Sequence, residues 1–280
     1  MTSASSSHAH PSDILGNAGL LSIARRVAIT AGELAARRRA EGVEVAASKS
    51  SPEDIVTLAD RETEALIRSL LADARPNDGF SGEESASDSG SSGLTWLVDP
   101  IDGTVNYLYG IRHYAVSIAV VEGEPDPATW RALAGAVVNP AVGEVFTAAV
   151  GGGAFLGRRR LRIARGVDLS QALVGTGFGY LAGIRVEQAA LLGGLIGQVR
   201  DIRRQGAASL DLCDVASGRL NAYFERGLNP WDHAAGALIA QEAGARVSGL
   251  RGAAAAREFT LAAEPSLAAT LERALVGLGA

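Results

Sequence analysis

The segment Thr95-Trp96-Leu97-Val98-Asp99-Pro100-Ile101-Asp102-Gly103-Thr104 constrains the fold more than any other stretch of this chain. Trp96 to Val98 read as a buried strand, Pro100 stiffens the turn after it, and Gly103-Thr104 can open a helix. The first N–H groups of such a helix have no intrahelical partner, and with the positive end of the helix dipole they receive phosphate oxygens. Asp99, the Ile101 carbonyl and Asp102 offer hard oxygen ligands of the kind Mg2+ prefers. Taken alone, an Asp-x-x-Asp-Gly turn reads equally as a strand end with an Asp-capped helix, so its surroundings decide.

Those surroundings describe a globular chain. With 280 residues, 47% hydrophobic and 20% charged, it can bury a sizeable core as one large domain or two intimate halves. The formal net charge of -5 argues against general nucleic-acid binding. The basic cluster Arg158, Arg159, Arg160, Arg162 and Arg165 reads as a solvated hairpin edge. Cys213 is the only cysteine, so no internal disulfide can form, and its apolar helical setting suits packing rather than thiol chemistry. No apolar run reaches membrane-spanning length, and the first residues lack the cationic and apolar regions of a signal peptide. A soluble, cytoplasmic protein is expected. Residues 1–12 are Ser- and His-rich and read as a disordered tail outside the fold; Ser85 to Gly93 reads as a flexible loop.

Apolar spacing predicts helices at Ile14 to Arg39 and Thr57 to Ala74, the second burying Leu66, Ile67, Leu70 and Leu71. Strands are predicted at Trp96 to Val98, Ala115 to Val121, Ala134 to Asn139, Glu144 to Val150 and Ala154 to Leu156, forming a largely antiparallel first half. The second half alternates. Strands at Leu173 to Thr176, Asp201 to Arg203, Ala222 to Glu225, Arg246 to Ser248 and Phe259 to Ala262 intersperse with helices at Arg185 to Val199, Ser209 to Ser217, Trp231 to Glu242 and from Ser266.

Three further segments accompany the Asp99 run. Lys49-Ser50-Ser51-Pro52-Glu53-Asp54-Ile55-Val56-Thr57-Leu58-Ala59-Asp60 ends in D-x-V-T-x-x-D, Gly82-Glu83-Glu84-Ser85 reads G-E-E-S, and Trp231-Asp232-His233-Ala234-Ala235-Gly236 reads W-D-x-x-A-G. In this order and spacing the four segments resemble the inositol monophosphatase family of Mg2+-dependent sugar-phosphate phosphatases, in its bacterial inositol-1-monophosphatase form. The resemblance spans nearly the whole chain. It implies an α/β layered fold, the αβαβα five-layer sandwich, over residues 13–280, with two intimate halves of about 13–157 and 158–280.

The resemblance implies the site as well. Glu83, Asp99, the Ile101 carbonyl, Asp102 and Asp232 match the family's metal ligands, for roughly two or three Mg2+. Four carboxylates in one cleft repel one another and raise each other's pKa, whereas divalent ions hold them ionised. Thr104 and Asp60 match the hydroxyl and carboxylate that orient and deprotonate the attacking water, so Asp60, Thr104 and Glu83 form the expected catalytic set. Read without the resemblance, Thr104 is an ordinary helix-start hydroxyl and Asp60 an exposed helical acid. Asp102, Gly103, Thr104, Gly206, Ala207, Ala208, Glu225 and Asp232 match the substrate-contacting positions. Here Ala207 replaces the commoner small hydroxyl residue, and Ser209 appears two positions later.

Four positions are open to two readings. Glu84 orients a ligand or is an adjacent exposed acid; Lys49 helps order a metal or attracts an anionic substrate, or is a solvated loop lysine. Arg203 and Arg204 assist substrate or serve a strand edge or subunit interface. His113 and His233 receive no metal role, because a hard cation prefers oxygen.

The implied activity is hydrolysis of the phosphate monoester myo-inositol 1-phosphate to myo-inositol and phosphate, without a phosphoenzyme. Asn106-Tyr107 and Phe178-Gly179-Tyr180 are similar to the inositol branch. Relatives that share the metal frame act on fructose 1,6-bisphosphate, histidinol phosphate, NADP or 3'-phosphoadenosine 5'-phosphate, and a frame alone does not choose among them. A different class of reading makes the chain a regulatory binding protein that retains the phosphatase frame. The resemblance also implies a homodimer and inhibition by Li+, with neither membrane nor nucleic acid as a partner.

Overall fold

In a computed structural model of the chain, residues 16–43, 45–48 and 55–280 are described. Lys49 and the N-terminal tail, for which expectations were stated, lie outside the described residues. The first helix, α1 (Gly16–Glu41), buries Leu20, Ala24, Val27, Ala28, Ala31 and Ala35 at the three-to-four spacing of one helical face. An antiparallel pair, β1 (Val45–Ser48) and β2 (Ile55–Thr57), leads into α2 (Leu58–Ala74). Thr57 and Asp60 close a capping box at the start of α2, each satisfying the other's backbone N–H.

The buried face of α2 departs from the apolar pattern. Ile67 and Leu71 are buried as expected, but Leu66 and Leu70 are only half-buried. The face continues toward the N-terminus through Asp60, Thr63 and Glu64, three polar residues that periodicity of apolar side chains does not register.

A parallel pair follows, β3 (Gly79–Gly82) beside β4 (Leu94–Asp102), and α3 (Thr104–Tyr109) starts directly after it. Sequence periodicity gave no sign of β3, whose Gly-rich composition lacks strand residues. The Ser85 to Gly93 segment, expected to be flexible, makes the return between these strands and is tethered. Arg68 donates to Ser85 Oγ and the Ala86 carbonyl, both at 2.7 Å, pairs with Asp88, and lies 4.1 Å over the Phe80 ring.

An antiparallel meander completes the first sheet: β5 (Ala115–Glu122), β6 (Arg131–Asn139), β7 (Glu144–Ala149), β8 (Gly153–Leu156) and β9 (Arg159–Arg160). Its seven strands run in the order β3-β4-β5-β6-β7-β8-β9, and the exposed Arg159 and Arg160 occupy the edge expected of the basic cluster. The second sheet is built from β10 (Leu173–Thr176), β11 (Asp201–Arg203), β12 (Ala222–Glu225), β13 (Arg246–Ser248) and β14 (Thr260–Ala263), ordered β11-β10-β12-β14-β13. Both β11 and β12 are parallel to β10, joined through α4 (Ala182–Leu195) and α5 (Ala208–Ser217). Helices α6 (Pro230–Glu242) and α7 (Pro265–Gly277) complete the chain.

Apolar clusters bind these elements into an αβαβα stack. Leu20, Val27, Ile67 and Leu71 of α1 and α2 pack on Trp96, Ile118 and Val120 of the first sheet. On its other face Leu97, Val137 and Phe146 meet Leu212, Ala235 and Leu238 of α5 and α6, which lie between the sheets. Leu191 and Leu195 of α4 with Leu267, Leu271 and Leu275 of α7 cover the outside of the second sheet. Each large side chain buried in this way stabilises by roughly 1.5–3 kcal/mol before entropy is counted. The central layer is tight: a Cβ at Gly236 would lie 2.8 Å from Leu212 Cβ and 2.9 Å from the Ser209 carbonyl, so α5 and α6 approach closely only with glycine there. Cys213 is buried in this layer, where burial pushes its thiol well up. Among the described residues, no helix is long and apolar enough to cross a membrane.

Candidate active site

The end of β4 supplies the centre of the site. Register between β4 and β5 shifts between Asp99 and Asp102, and Pro100 sits in this irregularity, where a missing ladder donor costs nothing. The Ile101 N–H turns back to Asp99 Oδ1 at 3.1 Å. Gly103 then adopts φ +86, and a Cβ there would stand 3.0 Å from the Gly206 and His113 carbonyls; a side chain is excluded by both strain and space. From this turn α3 begins with Thr104, as the sequence suggested.

Thr104 Oγ1 has two acceptors in reach, the Ile101 carbonyl at 3.0 Å and Asp60 Oδ1 at 3.2 Å. Asp60 is fully buried, which removes the exposed-acid reading. Its Oδ2 accepts from the Thr57 N–H at 2.8 Å and from the Thr57 hydroxyl, leaving Oδ1 for Thr104. Burial pushes the Asp60 carboxyl up to about 7, assisted by the Glu83 and Glu84 charges and opposed by the Thr57 hydrogen bonds.

The other acids come from three elements. Glu83 follows β3, and its N–H donates to the Val98 carbonyl at 3.2 Å. Asp232 stands in the first turn of α6 behind Pro230, and its Oδ2 accepts from the Asn229 N–H at 2.7 Å. Asp102 reaches across the molecule, its Oδ2 accepting from the Ser209 N–H at 2.7 Å and from the Ser209 hydroxyl. The Ser209 hydroxyl therefore turns to a site acid. Burial first, then the charges of Glu83, Asp102 and Asp232, hold the Asp99 carboxyl well above the usual range. Asp232 is raised likewise by burial and Glu83, and burial puts Asp102 at about 6 against the Ser209 hydrogen bonds. Such a set of oxygen donors, costly to ionise together, fits hard divalent cations.

Glu225 ends β12 and accepts from the Tyr223 hydroxyl; burial pushes its carboxyl up to about 7. Its carboxylate fills the space a Cβ at Gly177 would need, so Gly177 must remain glycine for Glu225 to take this position. Asn106 Nδ2 donates at 2.7 Å to both the His113 and Gln205 carbonyls, tying the Gly103 turn to the segment that leads into Gly206.

These residues converge on a cleft of about 610 Å³. Glu83, Asp99, Ile101, Asp102, Gly103, Thr104, Gly206, Ala208, Glu225 and Asp232 all line it. Asp60 and Ala207 do not: Asp60 lies behind Thr104, and Ala207 is buried against the Gly103 turn. Arg204 lines the cleft, whereas Arg203 turns to Asp201 at the surface. Sequence reasoning missed Gln188, which lines the cleft and accepts from the Gly179 N–H at 2.8 Å. No motif marks a glutamine on an exposed helix.

A second group of possible ligands lies outside the cleft lining. His113, Asp211 and Asp214 bring ligand atoms within 4.8 Å of one another. Gln205 Nε2 donates to Asp211 at 2.8 Å and Asp214 at 3.0 Å, and Arg219 reaches Asp214 at 3.3 Å, so nitrogen donors already take up these oxygens. His113 Nε2 stands 3.4 Å from Asp211 Oδ1 without hydrogen-bond alignment. His233 is buried beside the Trp130 ring, in keeping with a packed neighbour rather than a ligand.

A family profile described as "Inositol monophosphatase family" matches residues 17–278. The chain is 47% identical over 248 residues to "Inositol-1-monophosphatase" of Mycobacterium bovis, covering 82% of this chain and 83% of that protein. It is 41% identical over 244 residues to "Nus factor SuhB" of Pseudomonas aeruginosa, covering 83% and 86%. Among solved structures, that of extragenic suppressor protein suhB from Bartonella henselae matches with a TM-score of 0.83 at 37% identity, covering 91% of this chain and 98% of that one.

Proposed function

The chain belongs to the inositol monophosphatase family, and on that footing we propose that it is a Mg2+-dependent phosphomonoesterase that hydrolyses myo-inositol 1-phosphate to myo-inositol and phosphate. One observation carries the proposal. Glu83, Asp99, Ile101, Asp102 and Asp232 line the same cleft as Thr104, whose hydroxyl lies 3.2 Å from the buried Asp60.

In this reading Glu83, Asp99, the Ile101 carbonyl, Asp102 and Asp232 hold roughly two or three Mg2+, which when bound supply the Lewis acidity that polarises the phosphoryl group and activates water. The Thr104 hydroxyl takes a proton from the attacking water and passes its own to Asp60 Oδ1. Asp60 Oδ2 is taken by the Thr57 N–H and hydroxyl, which leaves Oδ1 as the acceptor facing Thr104. The water oxygen bonds to phosphorus, the ester P–O bond breaks, and the leaving alkoxide takes up a proton from a solvent water while Asp60 returns its own to solvent. Free N–H groups at the start of α3 meet phosphate oxygens. Glu225, Asp232 and Asp102 accept hydrogen bonds from ring hydroxyls, with the Gly206 to Ala208 segment along the ring.

Phosphate release from a panel of inositol 1-phosphate, fructose 1,6-bisphosphate, histidinol phosphate, NADP and 3'-phosphoadenosine 5'-phosphate tests the substrate. The highest kcat/KM on inositol 1-phosphate supports the proposal, and preference for another member moves the substrate and leaves the chemistry. The proposal includes a homodimer and competition by Li+ for a Mg2+ position, checked by light scattering and by Li+ titration of the same assay. The 41% identity to a protein named Nus factor SuhB favours one second reading, a regulatory binding role on the same frame. A regulatory effect that survives Asp102→Asn while turnover is lost would establish it.

Metal binding should also set the pH dependence of stability. Burial raises Asp102 to about 6 and holds Asp99 and Asp232 well above the usual range, against about 4 in an unfolded chain. Their contribution to metal-free stability is therefore full below the unfolded value and is lost as pH rises through the folded values. Cations replace those protons. The gain in Tm on exchanging EDTA for Mg2+ is expected to be larger at pH 8 than at pH 5, and scanning calorimetry showing equal gains would contradict this.

A further inference from the structure

The buried polar face of α2 carries two acids one turn apart, and only Asp60 has a role in the reaction above. Glu64 is 2% exposed, and so thorough a burial of a carboxylate calls for partners. Its Oε2 accepts from the Glu84 N–H at 2.8 Å, and its Oε1 accepts from the Ser85 hydroxyl. A Cβ at Gly82 would overlap the same carboxylate, so the backbone on both sides of Glu83 lies against Glu64. On its other side this backbone is fixed by the Glu83 N–H to the Val98 carbonyl at 3.2 Å. The Gly82 to Ser85 turn is thus held between α2 and β4.

We propose that Glu64 is a positioning residue: its carboxylate clamps the Glu84 and Ser85 donors and so aims the Glu83 side chain at the cluster formed with Asp99, Asp102 and Asp232. Because Asp60 and Glu64 are i and i+4 on one helix, α2 becomes the common reference for the proton acceptor and for Glu83. The turn itself has few apolar anchors, Glu84 being half-buried and Ser85 exposed. Without the clamp, Glu83 must be ordered at the moment a cation binds, and the cost appears as weaker binding.

The inference rests on the metal reading above, and its test separates the two. Mg2+ binding to the full chain is measured by calorimetry, with the Mg2+-induced gain in Tm as a second readout. Glu64→Gln keeps the length of the side chain: its carbonyl accepts from the Glu84 N–H and its amide donates to Ser85 Oγ. Glu64→Asp keeps the charge and withdraws the carboxylate by one methylene. Positioning predicts that Glu64→Asp binds Mg2+ about tenfold more weakly, whereas Glu64→Gln stays within about threefold of the wild type. Binding by Glu64→Asp equal to the wild type, or by Glu64→Gln as weak as Glu64→Asp, would overturn the clamp and leave the metal reading standing. Absence of Mg2+ binding by the wild type would overturn both.

Discussion

Asp102→Asn is expected to lower kcat/KM for phosphate release by on the order of 10^3-fold, the scale of losing a transition-state charge contact in a dry site. Asp102 Oδ2 is committed to two donors of Ser209, the N–H at 2.7 Å and the hydroxyl. Only Oδ1 remains for a cation. An asparagine amide placed there faces a choice with no good outcome: NH2 toward Ser209 opposes two donors, and NH2 toward the cleft opposes the cation. The fold should survive, because the substitution also removes a carboxyl that burial holds at about 6 and whose ionisation disfavours the metal-free state above that pH. A Tm in EDTA at pH 8 no lower than the wild type, together with lost turnover and weakened Mg2+ binding, is the expected pattern. Turnover within tenfold of the wild type would remove Asp102 from the ligand set.

Asp60→Asn should separate proton transfer from metal binding. Removing a general base typically costs about 10^2 to 10^4 in rate, and the loss is expected in kcat, with KM and the Mg2+ requirement little changed. The reason is placement: Asp60 does not line the cleft and meets it only through the Thr104 hydroxyl, 3.2 Å away. Thr104→Ala should lose kcat on a similar scale. The double substitution should lose little more than either one, since groups that act as a unit are not additive. Steady-state kinetics over a Mg2+ titration reads all three. A large rise in the Mg2+ requirement for Asp60→Asn would instead make Asp60 part of the metal frame.

Much of this site is written in short segments that chemistry makes conspicuous. A strand, a proline, two acids and a glycine between residues 95 and 104 yield a buried strand and the start of α3 as expected, but β4 runs on irregularly through Pro100 to Asp102 where a turn was expected. The helices and strands of the second half likewise fall close to the predicted positions, because their apolar spacing is regular. What the sequence withheld is relational. That Ser209 serves Asp102 joins residues 107 positions apart, and no local pattern encodes it. Glu64 resembles any helical acid until α2 is packed on the first sheet with that face inward. β3 is a strand through its neighbours rather than its composition, and the segment after it is tethered by Arg68, one turn beyond Glu64 on the same helix. Arg203 and Arg204 differ only in which way the chain turns after β11, one to the surface and one to the cleft. For Ser209, Glu64 and Arg68 a long-range contact decides, and the side chains that make it are polar residues to which apolar periodicity is blind.

If the acids around Asp99 hold cations that the reaction requires, turnover follows the metal: inorganic phosphate released from inositol 1-phosphate by the chelator-treated full chain is followed as Mg2+ is added back. No release before addition and saturable recovery of turnover with Mg2+ are expected. Release at an undiminished rate in excess EDTA, or none at any Mg2+ concentration from a folded protein, would contradict that reading.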